Sequence, residues 1–396
     1  MHKQTVVACL VIPGADGAPE KEIRTFGTMT SDLLALGNWL GLAGCTHGAM
    51  EGTGVYWKPV YNLLEERFTL LLVNARHVKA VAGRKTDVKD REWLADLLRH
   101  GLLRASFVPD REQRERRELT RYRTRLVQER AAEANRLQKT LEGANLKLGS
   151  VLSDVLGKSG RAMGRALVAG ETDPVVLASL AQGAAQRKTA ELVQALAGRI
   201  GAHQRFLLGV QLRRIETLEA DIATVSAEIG ERLRPFEMDL ARLDTIPGIG
   251  RRLAEIVLAE IGADMSRSPS AGHLASWAGM CPGNTESAGK RGSGRTRHGS
   301  PWLRSALVEA AQGARNAKQT YLAAQYGQIA ARRGGKRAVV AVGHSILVMV
   351  YHLLRDQQDY AELGSNHYAA RRAKRKQHRL VEELRGLGYT GTKDAA

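Results

Sequence analysis

The chain has 396 residues, 43% of them hydrophobic and 25% charged, which is enough to bury the cores of two or three globular domains and too apolar for a disordered polymer. Lys and Arg outnumber Asp and Glu by 59 to 41, a net charge of +18; such an excess repels itself unless a polyanion neutralises it, and nucleic acid is the usual one. Cys9, Cys45 and Cys281 have no paired spacing, which excludes a disulfide framework and a cysteine zinc site and fits a reducing, cytoplasmic setting.

In chain order, the first hundred residues alternate strand and helix signals. Thr5 to Ile12 is a Val-rich run closed by Pro13-Gly14, a strand and its turn. Glu22 to Gly27 alternates and pairs beside it. Ser31 to Leu42 has apolar residues at helical spacing after a Ser31 cap. Gly48 to Glu51 reads as a strand end, Val55 to Arg67 as a helix, and Phe68 to Val73 as a strand buried on both faces. Asp87 to His100 is an amphipathic helix, and Ala105 to Val108 a last short strand. That alternation predicts an α/β sheet domain over residues 1–109.

From residue 110 the pattern becomes helical. Arg111 to Leu148 and Ala190 to Leu233 each predict one long helix, flanking a Gly-broken stretch from Gly157 to Thr172. They predict an antiparallel coiled-coil arm over 110–235, a spacer or oligomerisation element as readily as a binding surface. Residues 236–360 predict a compact helical domain, and 361–396 a basic tail, so the fold class is α/β plus all-α. No apolar run approaches the roughly 18 residues of a membrane span, and the N-terminus reads as a strand rather than a signal peptide.

Three constellations carry chemistry. Asp87 and Asp90, three apart, share one face of a first helical turn. Glu51 ends a strand, where open α/β sheets place ligands. Three carboxylates without Cys or His make a hard oxygen site suited to Mg²⁺ or Mn²⁺, and beside a basic surface its natural chemistry is phosphodiester cleavage. On the plainer alternative, the two aspartates cap a helix and favour its dipole. The loop from Pro282 to Gly299 is rich in glycine and carries Lys290, Arg291, Arg295 and Arg297 for phosphate contact. A serine within it, Ser287, either attacks phosphorus or only donates a hydrogen bond; Glu286 and His298 are the candidate bases nearby. Ile246-Pro247-Gly248-Ile249-Gly250 before Arg251 has the form of a helix–hairpin–helix turn, whose amides at Gly248, Gly250 and Arg251 grip a phosphate without reading sequence; otherwise it is an ordinary turn between core helices. The tryptophans Trp57, Trp93, Trp277 and Trp302 read as core.

With those motifs in place, the chain resembles the IS-one-ten insertion-sequence transposases. The resemblance is carried by HKQTVVACLV (His2 to Val11), MEGTGVYWKPVYNLLE (Met50 to Glu65), VNARHVKAVAGRKTDVKDREWLADLLRHGLL (Val73 to Leu103) and the stretch from DTIPGIGRRLAEIVLAEIG through GMCPGNTESAGKRGSGRTRHGSPWLRSALVEAA (Asp244 to Ala311); the middle helices match only in character. It implies a RuvC-like, RNase H-type first domain with a four-carboxylate site, of which Glu51, Asp87 and Asp90 are the second, third and fourth members. It further implies Ser287 as a nucleophile that joins covalently to DNA, donor and target duplexes as substrates, a structured non-coding guide RNA, and a dimer or tetramer. The family pattern opens Gly-Ile-Asp-Val-His-Lys and takes its first carboxylate from that Asp; this sequence opens Met1-His2-Lys3, with Met1 where Val is expected. The expectation is a GTG valine codon read as the start, with the true start upstream; the alternative is an inactive, truncated copy. Two rivals to the recombinase are a RuvC-like nuclease using metal alone and a nucleic-acid-binding relic; a general RNA-binding scaffold is a third, disfavoured by the 5% aromatic content.

Overall fold

The computed structural model describes residues 2–14, 18–52, 54–74, 78, 90–282, 286–287, 290–291, 296 and 298–387; for residues 90, 91, 286, 287, 290, 291, 372 and 375 it describes the backbone alone. The chain divides into two compact units, residues 1–111 and 112–396.

In the first unit, strands β1 (Thr5–Pro13) and β2 (Pro19–Gly27) pair antiparallel from Thr5 opposite Gly27 to Pro13 opposite Pro19. Val6 and Leu10 share the inward face of β1 and are buried. Helix α1 (Thr30–Leu42) buries Leu33, Leu36 and Trp39. Its expected Ser31 cap gives way to Asp32, whose Oδ2 accepts from the Met29 N–H at 3.3 Å. Strands β3 (His47–Glu51) and β4 (Thr69–Val73) run parallel, and helix α2 (Trp57–Leu64) makes the crossover between them. Helix α3 (Asp90–Arg99) packs against β1 and β3. Val6, Leu10, Leu33, Leu36, Met50, Val60, Leu64, Phe68 and Leu72 form one core across these elements.

Two expectations need correcting. Only the end of β4 is deeply buried: Leu72 and Val73 are, Leu70 and Leu71 are half-buried, and Thr69 is exposed. The expected strand at 105–108 is a single antiparallel bridge between Val73 and Ala105, with the Ser106 N–H donating to the Leu72 carbonyl at 2.6 Å. Among the described residues β4 therefore has a full partner on one edge only.

The second unit opens with helix α4 (Arg111–Gly143), followed by α5 (Leu148–Val151), α6 (Lys158–Ala169), α7 (Pro174–Ser179), α8 (Thr189–Leu196) and α9 (Ala202–Leu233). Ion pairs set the direction of the two long helices. Glu115 meets Arg232 at 2.6 Å, Glu129 meets Arg214 at 3.3 Å, and Arg130 meets Glu219 at 2.7 Å. Early positions in α4 face late positions in α9, so the pair is antiparallel. Burial favours the neutral form of Glu219, but hydrogen bonds from Arg161 and Arg130 outweigh it and hold the carboxyl below its ordinary range.

The helical reading here was right in type and wrong in its breaks. Residues 190–233 are two helices rather than one: Gly201 caps α9, and its N–H donates to Gln204 Oε1 at 2.8 Å. The loop at 144–147 closes onto this break, with the Arg199 N–H on the Ala144 carbonyl at 3.0 Å and the Lys147 N–H on the Ala195 carbonyl at 2.8 Å. Conversely, most of the Gly-broken stretch from Gly157 to Thr172 is the helix α6, whose Gly160 and Gly164 are buried contact points. Leu137, Leu141, Leu148, Met163, Leu167, Leu177, Leu192, Leu208 and Ile215 give this end of the helical pair its own core.

The remainder contains α10 (Glu237–Asp244), α11 (Arg251–Ile261), α12 (Ala271–Trp277), the short strands β5 (Glu286–Ser287) and β6 (Lys290–Arg291), α13 (Pro301–Ala314), α14 (Tyr321–Arg333), α15 (Gly335–Asp356) and α16 (Gly364–Gly386). By length and composition α15 is apolar enough to cross a membrane, although no such span was expected from the sequence. It packs against α10, α12, α13 and α14, and buries Val339, Val342, Ile346, Leu347 and Val350 among them. That is the position of a core helix.

Candidate functional site

Glu51 is the last residue of β3, opposite Val73, and is half-buried. The ladder continues one step past it, with the Gly52 N–H on the Val73 carbonyl at 2.9 Å. It therefore stands at the carboxyl end of a parallel strand pair, the edge where open α/β sheets carry ligands. Asp90 is the first residue of α3, which packs against this same strand. Asp87 lies outside the described residues. Among the described residues no three His, Cys, Asp or Glu side chains converge as a metal site. The donor located at this edge is the Glu51 carboxylate, the ligand type that Mg²⁺ and Mn²⁺ accept.

Ser287 lies on a short antiparallel strand pair, β5 with β6. Glu286 stands opposite Arg291 and Ser287 opposite Lys290. Arg295 and Arg297 lie outside the described residues. The base of the larger loop is closed twice. Pro282 bridges Thr296 antiparallel, and Gly299 sits so close to the backbone of Ala278 and Gly279 that a Cβ would collide with the Ala278 carbonyl. His298 beside it is exposed.

Downstream, the loop ends on a built anchor. Ser300 caps α13: its Oγ accepts from the Leu303 N–H at 3.3 Å, and Pro301 occupies the first helical position. The same hydroxyl donates to Glu260 Oε2 at 3.0 Å. Glu260 is fully buried near the end of α11. Arg121 of α4 grips it with both arms of its fork, Nε to Oε1 at 2.7 Å and Nη2 to Oε2 at 3.0 Å. Arg117 approaches Oε2 at 3.9 Å and donates to the Ala259 carbonyl at 3.2 Å. The guanidinium of Arg121 lies 5.8 Å from the Trp302 ring centroid, that of Arg125 5.4 Å from it, and that of Arg117 5.7 Å from Trp277. Five residues earlier in α11, Glu255 binds Arg123 at 2.6 Å and Arg251 at 2.9 Å. An arginine row on the long helix α4 is thus locked to α11 and to the start of α13, which leads out of the serine loop.

Sequence reasoning missed this network and read Trp277 and Trp302 as plain core. Trp277 is 37% exposed and both rings face arginines instead. A signal was present: RRLAEIVLAEI places two glutamates in a helix buried on every side from Leu253 to Ile261, and a carboxylate in such a run needs a cationic partner.

The turn from Ile246 to Gly250 joins α10 to α11. Ile246 and Ile249 are buried, while Gly250 is exposed. Gly248 has φ of +90° and lies against α13, where a Cβ would meet the Ala310 carbonyl oxygen and come within 2.5 Å of the Ala314 nitrogen. Arg251 is held by Glu237 and Glu255. Hydrogen bonds from Arg251 hold the Glu237 carboxyl below its ordinary range, and its two acidic partners push the Arg251 guanidinium further up. The Leu253 and Ala254 N–H groups donate to the Gly250 carbonyl at 2.9 and 3.0 Å, and Gly250, Arg251 and Arg252 form the exposed end of this turn.

Two family models match this chain. Residues 1–146 match the DEDD model of the IS110 group, described as a transposase, which encloses Glu51, Asp87 and Asp90. Residues 240–327 match a model described as transposase of the IS116/IS110/IS902 family, which encloses the Gly248–Arg251 turn and Ser287. A probable family 20 transposase of Pseudomonas aeruginosa is 27% identical over 270 residues, covering 67% of this chain and 70% of its own length.

Proposed function

From the chain's membership of the IS110 family of transposases, we propose that it cleaves and exchanges DNA strands with Ser287 as nucleophile and a carboxylate site at Glu51, Asp87 and Asp90. The observation that carries this reading is that one chain bears both halves of the machinery: a carboxylate-bearing α/β unit and a serine on a hairpin whose partner strand is Lys290–Arg291, each inside a match to a transposase model.

The proposed step is a transesterification. Ser287 Oγ forms a bond to a backbone phosphorus, the bond from that phosphorus to a deoxyribose oxygen breaks, and the proton of the serine is transferred so that the sugar leaves as a hydroxyl. One phosphodiester replaces another, so a second sugar hydroxyl can reverse the step without an external energy source. Lys290, Arg291, Arg295 and Arg297 would hold the phosphate and its developing charge, while the Gly248–Arg251 turn would fix the duplex by its backbone. Glu51, Asp87 and Asp90 are the residues that would hold Mg²⁺ or Mn²⁺, which when bound supplies Lewis-acid stabilisation of phosphate charge. In the same proposal a structured non-coding RNA chooses the donor and target sites, and a homo-oligomer brings the two domain types of different protomers together in the bacterial cytoplasm.

A Ser287→Ala variant tests this reading in a strand-cleavage assay with Mg²⁺, the RNA encoded beside the gene, and donor and target duplexes. Loss of the nucleophile should lower strand cleavage by about 10³-fold or more. Undiminished cleavage would instead identify a nuclease that uses the carboxylate site alone.

A further inference from the structure

Helix α16 begins as part of the second unit and then leaves its surface. Glu362 fastens the start, accepting from the Tyr321 N–H at 2.8 Å, the Gly364 N–H at 2.7 Å and the Tyr360 hydroxyl at 2.8 Å. Tyr368 packs edge-on against Tyr321 at 5.1 Å, and Arg371 donates to the Tyr321 hydroxyl at 3.1 Å. From Arg371 to Leu387 every residue whose side chain is described is exposed.

That projecting segment has a marked charge pattern. Arg371, Arg372, Lys374, Arg375, Lys376 and Arg379 fall within nine residues, and the first acidic residue of the helix is Glu382. At about 100° per residue the six positions fan over an arc of roughly 200°. The opposite face carries Ala370, Ala373, Gln377, Leu380 and Leu384. A helix that lies on a flat anionic surface needs cations along one narrow stripe. A helix seated in a groove meets phosphates on both walls, which is what a wide fan serves. The cationic stretch is about 14 Å long, and the major groove of B-form DNA is about 12 Å wide and admits one helix.

We propose that α16 is a DNA-binding arm that seats residues 371–379 in the major groove of duplex DNA and holds it by phosphate contacts. Of the polyanions, duplex DNA is favoured because the deep, narrow major groove of A-form RNA does not admit such a helix. The proposal deepens the reading of the chain as a DNA transposase, and it requires neither Ser287 nor the carboxylate site.

The test is equilibrium binding of the full chain to a 30-base-pair DNA duplex and to an RNA duplex of equal length, each over a range of salt concentrations, without Mg²⁺ so that no chemistry intervenes. The variant carries Arg372→Gln, Lys374→Gln, Arg375→Gln, Lys376→Gln and Arg379→Gln. Arg371 is kept because it contacts Tyr321, and an unchanged Tm establishes that the variant folds. The variant should bind the DNA at least about tenfold more weakly near 0.1 M salt, with the slope of log K against log salt reduced in size by about 2 to 4, and should lose clearly less on RNA. Unchanged DNA affinity and slope, or a loss on RNA equal to or greater than that on DNA, would overturn the proposal. Strand cleavage by Ser287 stands or falls separately, because a chain with an inert serine would still show the salt-slope difference.

Discussion

Gly248→Ala is expected to destabilise the second unit by about 3 kcal/mol or more, lowering its Tm by roughly 6 to 12 °C. Two costs combine. The residue holds φ of +90°, a conformation that strains any side chain other than glycine. Its missing Cβ is also replaced by backbone, the Ala310 carbonyl and the Ala314 amide nitrogen of α13, which cannot swing away as a side chain would. Gly250→Ala, two residues on, is the internal control. Gly250 is exposed with φ of −105°, and its nearest neighbour to a Cβ is Asp244 Oδ1 at 4.0 Å. It should cost under about 1 kcal/mol, the scale of a changed helix cap. Calorimetry of the two variants checks this: similar losses from both would mean that Gly248 is not a packing point.

Glu260→Ala is expected to cost about 2 to 4 kcal/mol. The carboxylate is fully buried and accepts from Arg121 and Ser300. Its removal strands Arg121 and Arg117 against a low-dielectric interior and frees Ser300 from one side. The upper end of the range for a buried pair is not expected, because the Arg121 side chain is one-third exposed and water recovers part of its solvation. Glu260→Gln keeps the shape but loses the charge, and should fall between wild type and the alanine variant. Amide hydrogen exchange at Leu303, whose N–H donates to Ser300 Oγ, should accelerate in Glu260→Ala if the network holds the start of α13. Unaltered exchange there would show that α13 is fixed by its core contacts alone.

The first hairpin was legible because each of its strands rests on a local pattern: a Val-rich run at 5–12 and an alternating one at 22–27 gave it in the expected place, whereas the strand expected at 105–108 is a single bridge. The breaks in the long helices were not legible. A glycine in a helical sequence marks either an end, as Gly201 does, or a contact point, as Gly160 does. Only the neighbour decides between them: the 144–147 loop at the first, the Val155 backbone at the second. Serine, glycines and basic residues drew attention to the loop at 282–299 because their chemistry is visible residue by residue. Glu260 escaped notice because its meaning lies in Arg121, 139 positions away, and a pairing at that distance has no local pattern. Gly248 sat inside a motif read for its amides, whereas its own geometry is set by a helix some sixty residues later in the chain.

The most direct test of the serine mechanism is the chemical identity of the DNA-linked residue. The chain would be incubated with Mg²⁺, the proposed guide RNA and a labelled donor duplex, then denatured, digested and analysed by mass spectrometry for a peptide carrying nucleotide. The account predicts a denaturation-resistant adduct on the peptide spanning residues 282–290, with the mass attached to Ser287 and absent from Ser287→Ala. An adduct on another residue, or labelled DNA cleaved with no protein attached, would contradict it.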